Sequence, residues 1–267
     1  MDKAIDFFIG GMSGAVSRTL TAPLELKKIQ SQNDFIKHTT LRDVVRKEGV
    51  LGLWKGNYTN IVRIFPQTAI SYGVYSHTNE YLSNYKLSQP VTHFLSGCVG
   101  GLVAQSSIYP LENIRTRLSL QTNKAHYSGV LDCFKKVPLR QLYQGLGMSL
   151  IGFMPFNGLN FMFYDTYKRV FEYDKRGQLE KMMIGGLAGI SAVTITYPTD
   201  LIRRRLQIQG MQKDVPVYNG IIDCVRKIVR YEGVTGLYKG LGACYVKIMP
   251  AIALQFYTLE FLKKNLK

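Results

Sequence analysis

The sequence predicts an all-α membrane protein of six transmembrane helices in three tandem repeats, packed as a pseudo-threefold bundle with short helices between the spans. Three observations predict it. A Pro-x-acid-x-x-base hexapeptide occurs three times at near-equal spacing, six long segments carry few charges, and small residues recur four apart within some of those segments.

The hexapeptides open at Pro23, Pro110 and Pro198, 87 and 88 residues apart. They place Glu25 before Lys28, Glu112 before Arg115, and Asp200 before Arg203. A second block follows in each copy: Glu48-Gly49 to Trp54-Lys55-Gly56, then Tyr143-Gln144-Gly145, then Glu232-Gly233 to Tyr238-Lys239-Gly240. Ten residues past each closing glycine stands another proline, Pro66, Pro155 or Pro250. The chain is one domain over 1–267 whose repeats cover about 1–86, 87–173 and 174–267. The middle copy has lost its Glu-Gly turn and gained Pro138, so its short helix is expected to be clipped by about one turn.

Segments 4–22, 57–82, 91–111, 146–170, 182–202 and 241–262 are each long enough to cross a bilayer. None is an uninterrupted apolar run, which fits helices that turn one polar face to a hydrated central path. Glycine pairs Gly10/Gly14, Gly97/Gly101 and Gly185/Gly189 predict close helix approach, since each glycine otherwise costs about 1 kcal/mol in a helix interior.

Net charge is +16, which points to an anionic partner. Cys98, Cys133, Cys224 and Cys244 lack metal-ligand spacing and read as small buried hydrophobes. The histidines, His38, His77, His93 and His126, are scattered, and no P-loop, dinucleotide fingerprint or nucleophile motif is present. The sequence therefore reads as no enzyme, with no cofactor and no metal. Residues 1 to 9 hold one lysine and no cleavage site, so no cleavable signal is expected.

Three ionisable residues sit inside spans, where charge is expensive and by default functional. Arg18 lies five residues before Pro23, and Arg63 and Lys247 each lie three before Pro66 and Pro250. The middle repeat has Gly152-Phe153 at that level, so the site is asymmetric within a symmetric frame. Bases at matched depth point to a phosphorylated substrate. Snorkelling toward headgroups is the competing explanation for any one of them. Phe156 and Asn157 offer a stacking face and amide hydrogen bonds, and Arg204 a further cation beside Arg203.

The triplicated motif with its glycine-closed block resembles the mitochondrial carrier family over essentially the whole chain. Its wording is closest to the ATP-Mg/phosphate, adenine nucleotide and coenzyme A carriers, through Gly14-Ala-Val-Ser-Arg18-Thr-Leu-Thr-Ala-Pro23, Ala104-Gln-Ser-Ser-Ile-Tyr-Pro110 and Lys247-Ile-Met-Pro250-Ala251. The resemblance implies a matrix gate of Glu25 with Arg115, Glu112 with Arg203, and Asp200 with Lys28. It implies glutamine braces at Gln32 and Gln207, with Ser119 in the middle copy. A cytoplasmic gate of Asp165, Lys168, Glu260 and Lys263 is implied too; its first copy, Tyr75-Ser76-His77-Thr78-Asn79, has neither charge.

A glycine and an apolar residue at the middle contact point accompany nucleotide substrates in that family, which makes Gly152-Phe153 the base-binding slot. The resemblance further implies a monomer of the mitochondrial inner membrane, or of the membrane of a related organelle. It implies cardiolipin bound at Trp54-Lys55-Gly56, Tyr238-Lys239-Gly240, Tyr127-Ser-Gly129 and Tyr218-Asn-Gly220. Lipid, not nucleic acid, then accounts for the basic short helices. The expected activity is exchange of adenine nucleotides, ATP or ADP or ATP-Mg, against one another or phosphate. Coenzyme A carriage is the alternative, and an ion leak on the same fold is a third. No D-x-[DN]-x-[DN]-G loop precedes the first repeat, so calcium control through an attached sensor domain is not expected within this chain.

Overall fold

A computed structural model describes residues 2–33, 41–85, 88–121, 127–172, 177–211 and 215–266. The described chain is predominantly helical, without strands. His38 and His126, and the joints between repeats at 86–87 and 173–176, lie outside it. So do the side chains of Glu260 and Lys263.

The first repeat comprises α1 (Asp2–Leu20), α2 (Ala22–Gln32), α3 (Leu41–Glu48), a 3-10 turn (Val50–Trp54), α4 (Asn57–Val62) and α5 (Ile64–Ser83). The second has α6 (Gln89–Leu120), α7 (Val130–Lys136), α8 (Leu139–Leu142) and α9 (Leu146–Val170). The third has α10 (Gln178–Ile208), α11 (Ile221–Glu232), a 3-10 turn (Val234–Tyr238) and α12 (Leu241–Leu266). Helices α5 and α6 pack together, as do α9 and α10, and α1 closes the ring against α12. Six spans thus form a three-repeat bundle with the short helices at one end.

The burial pattern is that of a membrane protein with a polar interior. Phe94, Phe161, Ile195, Val246 and Tyr257 are exposed on the long helices, whereas Glu25, Glu112, Arg115 and Arg204 are buried. Three segments have an 18-residue stretch of mean hydropathy 1.2: Leu139–Val170, Glu180–Ile208 and Val234–Leu259. At the short-helix end, Ile29, Leu120 and Ile208 bring the tips of α2, α6 and α10 into one apolar cluster.

Of the paired glycines, Gly101 lies at a close helix approach, where an added Cβ would run into the Phe153 ring, and the expectation fails for most of the others. A Cβ on Gly10, Gly14, Gly97 or Gly185 would meet nothing. Neighbours of the paired glycines approach closely too: Gly11 against the Phe65 ring, Gly100 against the Ser71 carbonyl, and Gly186 against Met249.

The first prolines of the copies act unequally. Helix α6 runs through Pro110 and α10 through Pro198, and the helix breaks only in the first copy, at Thr21. Pro23 supplies no N–H to the Thr19 carbonyl. Trp54, the single tryptophan, fills the gap: its Nε1 donates to that carbonyl at 2.8 Å. The shortened middle copy gives α7 only 7 residues against 12 in α11. The two repeats differ at the matching buried arginines, Arg117 and Arg205. In the third repeat the buried Arg205 forms a two-pronged ion pair with Glu232, whereas the side chain of Arg117, equally buried, donates among the described residues to Asn113 Oδ1 at 2.9 Å.

Candidate functional site

The hexapeptide residues meet across the bundle axis. Lys28 Nζ lies 2.8 Å from Asp200 Oδ2, Arg115 Nη2 3.2 Å from Glu25 Oε1, and Arg203 Nη2 3.1 Å from Glu112 Oε1. Each acid therefore meets the base of another repeat, closing a ring of three pairs. Symmetry makes this possible, because acid and base three residues apart share a helix face. The third copy also has the pair within its own helix, Arg203 to Asp200 at 2.9 Å.

Gln32 Nε2 donates to Asp200 Oδ2 and to the Tyr197 hydroxyl, both at 3.1 Å. Gln207 turns elsewhere: its amide donates to the Tyr109 hydroxyl at 3.1 Å, and its carbonyl accepts from Arg204 and Thr116 at 3.0 Å. Tyr197 and Tyr109 then donate to the carbonyls of Lys239 at 2.9 Å and Gln144 at 3.0 Å. These carbonyls stand just before the closing glycines. In the remaining copy the tyrosine is Ala22, and Ser119 Oγ donates directly to the Lys55 carbonyl at 3.1 Å. One short hydroxyl replaces a tyrosine and a glutamine. The closing glycines Gly56, Gly145 and Gly240 have φ of 76°, 87° and 84° and press against these same hydroxyls, so a side chain there is excluded twice over.

Above the ring lie two adjoining cavities. One, of about 310 Å³, holds Arg18, Arg63 and Lys247 with Arg204 and the ring residues. Arg63 Nη1 sits 3.3 Å from Glu112 Oε2, Lys247 Nζ pairs with Glu25, and Arg204 Nη2 lies 3.5 Å from Glu112 Oε1. Arg18 Nη1 is buried without a hydrogen-bond partner. The other cavity, of about 250 Å³, is lined by Met148, Gly152, Phe153, Phe156, Val193 and Thr199 among others. A Cβ on Gly152 would stand 2.6 Å from Thr199 Oγ1, so only glycine leaves this wall open. The two cavities share Lys28, Gln105, Asp200 and Arg203.

Of the residues singled out from sequence, Asn157 does not line these cavities; its amide donates to the Phe153 carbonyl at 2.7 Å. Asp165 and Lys168 lie exposed on α9, where Asp165 Oδ2 pairs with Arg169 Nη2 at 2.8 Å. Sequence reasoning missed Gln105, whose Nε2 donates to Glu112 Oε2 at 2.7 Å. The signal was available, since Gln105 precedes Pro110 by the same five residues that set Arg18 before Pro23. Thr199 was missed as well, and only the helix crossing reveals it.

A family model described as mitochondrial carrier protein matches this chain three times, over residues 2–86, 87–175 and 174–267. The chain belongs to the mitochondrial carrier family. It resembles the mitochondrial adenine nucleotide transporter ADNT1 of Arabidopsis thaliana, 35% identical over 96% of this chain and 85% of that protein. The mitochondrial carrier protein CoAc2 of Zea mays is 32% identical over 98% of this chain and 86% of its own length. The human mitochondrial adenyl nucleotide antiporter SLC25A24 is 33% identical over 96% of this chain, which spans 57% of that protein. This carrier is thus a membrane-embedded transporter of the mitochondrial inner membrane, not an enzyme.

Proposed function

We propose that this carrier exchanges adenine nucleotides, ATP and ADP with phosphate as a further counter-substrate, by alternating access. The observation that carries the reading is the pair of joined cavities: a cationic compartment beside an apolar one, with Gly152 at the wall of the second. Arg18, Arg63 and Lys247 take the phosphates, and the slot beside Gly152, Phe153 and Phe156 takes the base. Paired guanidinium hydrogen bonds suit phosphate, while the lysine adds a mobile charge.

The ring of Glu25, Lys28, Glu112, Arg115, Asp200 and Arg203 serves as the matrix gate, with Gln32 bracing it directly and Gln207 acting through Arg204. Asp165, Lys168, Glu260 and Lys263 close the opposite end in the other state. The missing charges of the first copy make that closure weaker by about 1 kcal/mol or less. Anionic lipid, cardiolipin in this membrane, covers the basic short helices, and the bundle works as a monomer because one axis holds the whole path. A coenzyme A carrier is the second reading, supported by the likeness to the maize protein, 32% identical against 35% for the Arabidopsis transporter.

Labelled ATP uptake into liposomes preloaded with ADP, phosphate, coenzyme A or nothing tests the proposal. Uptake that requires internal ADP or phosphate supports it. Uptake driven only by coenzyme A promotes the second reading, and no ATP uptake at all rejects the nucleotide assignment.

A further inference from the structure

One position of the repeat carries a different chemistry in each copy. Counting five residues back from Pro23, Pro110 and Pro198 gives Arg18, Gln105 and Val193. All three are half-buried, on α1, α6 and α10. Arg18 lines the cationic cavity, Val193 the apolar one, and Gln105 both. A cation, an amide and an aliphatic side chain thus follow one another in the order of the cavities they line.

Gln105 stands where the two cavities join, beside Lys28, Asp200 and Arg203. Those three are committed to the ring, for Asp200 Oδ2 meets Lys28 at 2.8 Å and Oδ1 meets Arg203 at 2.9 Å. Among the described residues that line both cavities, Gln105 alone is uncharged. Its Nε2 donates to Glu112 Oε2 at 2.7 Å, and this fixes which way the amide lies, because a carboxylate accepts and does not donate. The amide oxygen, on the opposite branch, remains an acceptor for whatever enters the joint.

Resting on the nucleotide reading above, we propose that the joint is a sugar subsite and that Gln105 reads a ribose hydroxyl there. A nucleotide with its phosphates beside Arg18 and its base beside Gly152 and Val193 has its ribose between them. A ribose hydroxyl is uncharged and can donate, which suits an amide oxygen. A cation in place of Gln105 would draw the phosphates into the joint, and an aliphatic side chain would leave the hydroxyl unpaired at a desolvation cost. A site that hydrogen-bonds a substrate hydroxyl rejects the analogue lacking it, because its own polar group is then left without a partner. The carrier therefore prefers ribonucleotides to deoxynucleotides, a choice that recognition of charge and base does not make.

The test uses the full chain in liposomes loaded with ADP and compares kcat/KM for labelled ATP, 2′-deoxy-ATP and 3′-deoxy-ATP. Each deoxy compound lacks one hydroxyl and keeps the charge and the base. The proposal predicts that the wild type favours ATP over at least one of them by about three- to tenfold, the worth of one hydrogen bond. Gln105→Met, close in size but without the amide, should abolish that preference whatever its absolute rate. Should the variant no longer transport, the rise in melting temperature that each nucleotide gives in detergent reads the same preference. Equal transport of all three by the wild type, or a preference undiminished in Gln105→Met, would overturn the inference while leaving nucleotide exchange standing. Failure of the wild type to take up ATP at all, from protein that melts cooperatively, would overturn the nucleotide reading and this inference together.

Discussion

Arg63 Nη1 lies 3.3 Å from Glu112 Oε2, so a single carboxylate holds both the base at the cavity level and, through its other oxygen, Arg203 of the ring. Glu25 does the same for Lys247 and Arg115. An anion that recruits Arg63 and Lys247 leaves each acid with one cation fewer. Substrate binding and ring strength are then linked thermodynamically, each weakening the other. Arg63→Ala should lower ATP exchange about ten- to a hundredfold, the loss of one charge-assisted contact of roughly 1.5–3 kcal/mol. Arg63→Lys should retain more of the rate, since it keeps the charge but not the fork. Initial rates in liposomes at matched protein content check both.

The slot beside Gly152 makes a steric prediction. Gly152→Ala sets a methyl 2.6 Å from Thr199 Oγ1 and should reduce nucleotide exchange. Adding Thr199→Ala removes that oxygen and should recover part of the rate. If the double variant is no better than the single one, the wall is not what the added methyl disturbs.

The relay from Gln32 through Tyr197 to the Lys239 carbonyl predicts a stability loss confined to one hydroxyl. Tyr197→Phe leaves a buried amide and a carbonyl short of partners, at about 1–3 kcal/mol. Ser119→Ala should cost a similar amount at the Lys55 carbonyl, despite the smaller side chain. Thermal unfolding of the two variants makes the comparison.

Glu232 contributes to the pH dependence outside the membrane. Burial works against its charge, yet hydrogen bonds from Arg205 and Lys239 outweigh burial and hold its carboxyl below the ordinary range. Such a group adds stability above its unfolded pKa, about 4.3, and loses it as pH falls through the folded value. Glu232→Gln should cost about 3 kcal/mol near neutral pH by removing the carboxylate that faces the buried Arg205, and it should flatten the acid limb of the stability curve. Melting temperature against pH, for both proteins, reads the difference.

Periodicity made much of this legible. The threefold spacing located Glu25, Glu112 and Asp200, and comparing copies position by position located Arg63, Gly152 and Lys247 at one level. What one copy alone implied was less reliable. Gly10 and Gly14 match the spacing of packing glycines, but which glycine faces a neighbour depends on helix rotation, and Gly11 is the one that does. Gln207 has the spacing of a brace, but Arg204 occupies its oxygen and the Tyr109 hydroxyl its N–H, and no sequence period reports those partners. Asn157 is a similar case, captured by a carbonyl of its own helix.

The measurement that bears most directly on the central claim is ATP/ADP counter-exchange by the wild-type protein beside an Arg63→Ala/Lys247→Ala variant, each with its melting temperature recorded. The account predicts saturable exchange in the wild type that requires internal nucleotide or phosphate, and exchange lost in a variant that still melts cooperatively. Exchange undiminished in that variant would contradict the assignment of these two bases to the substrate.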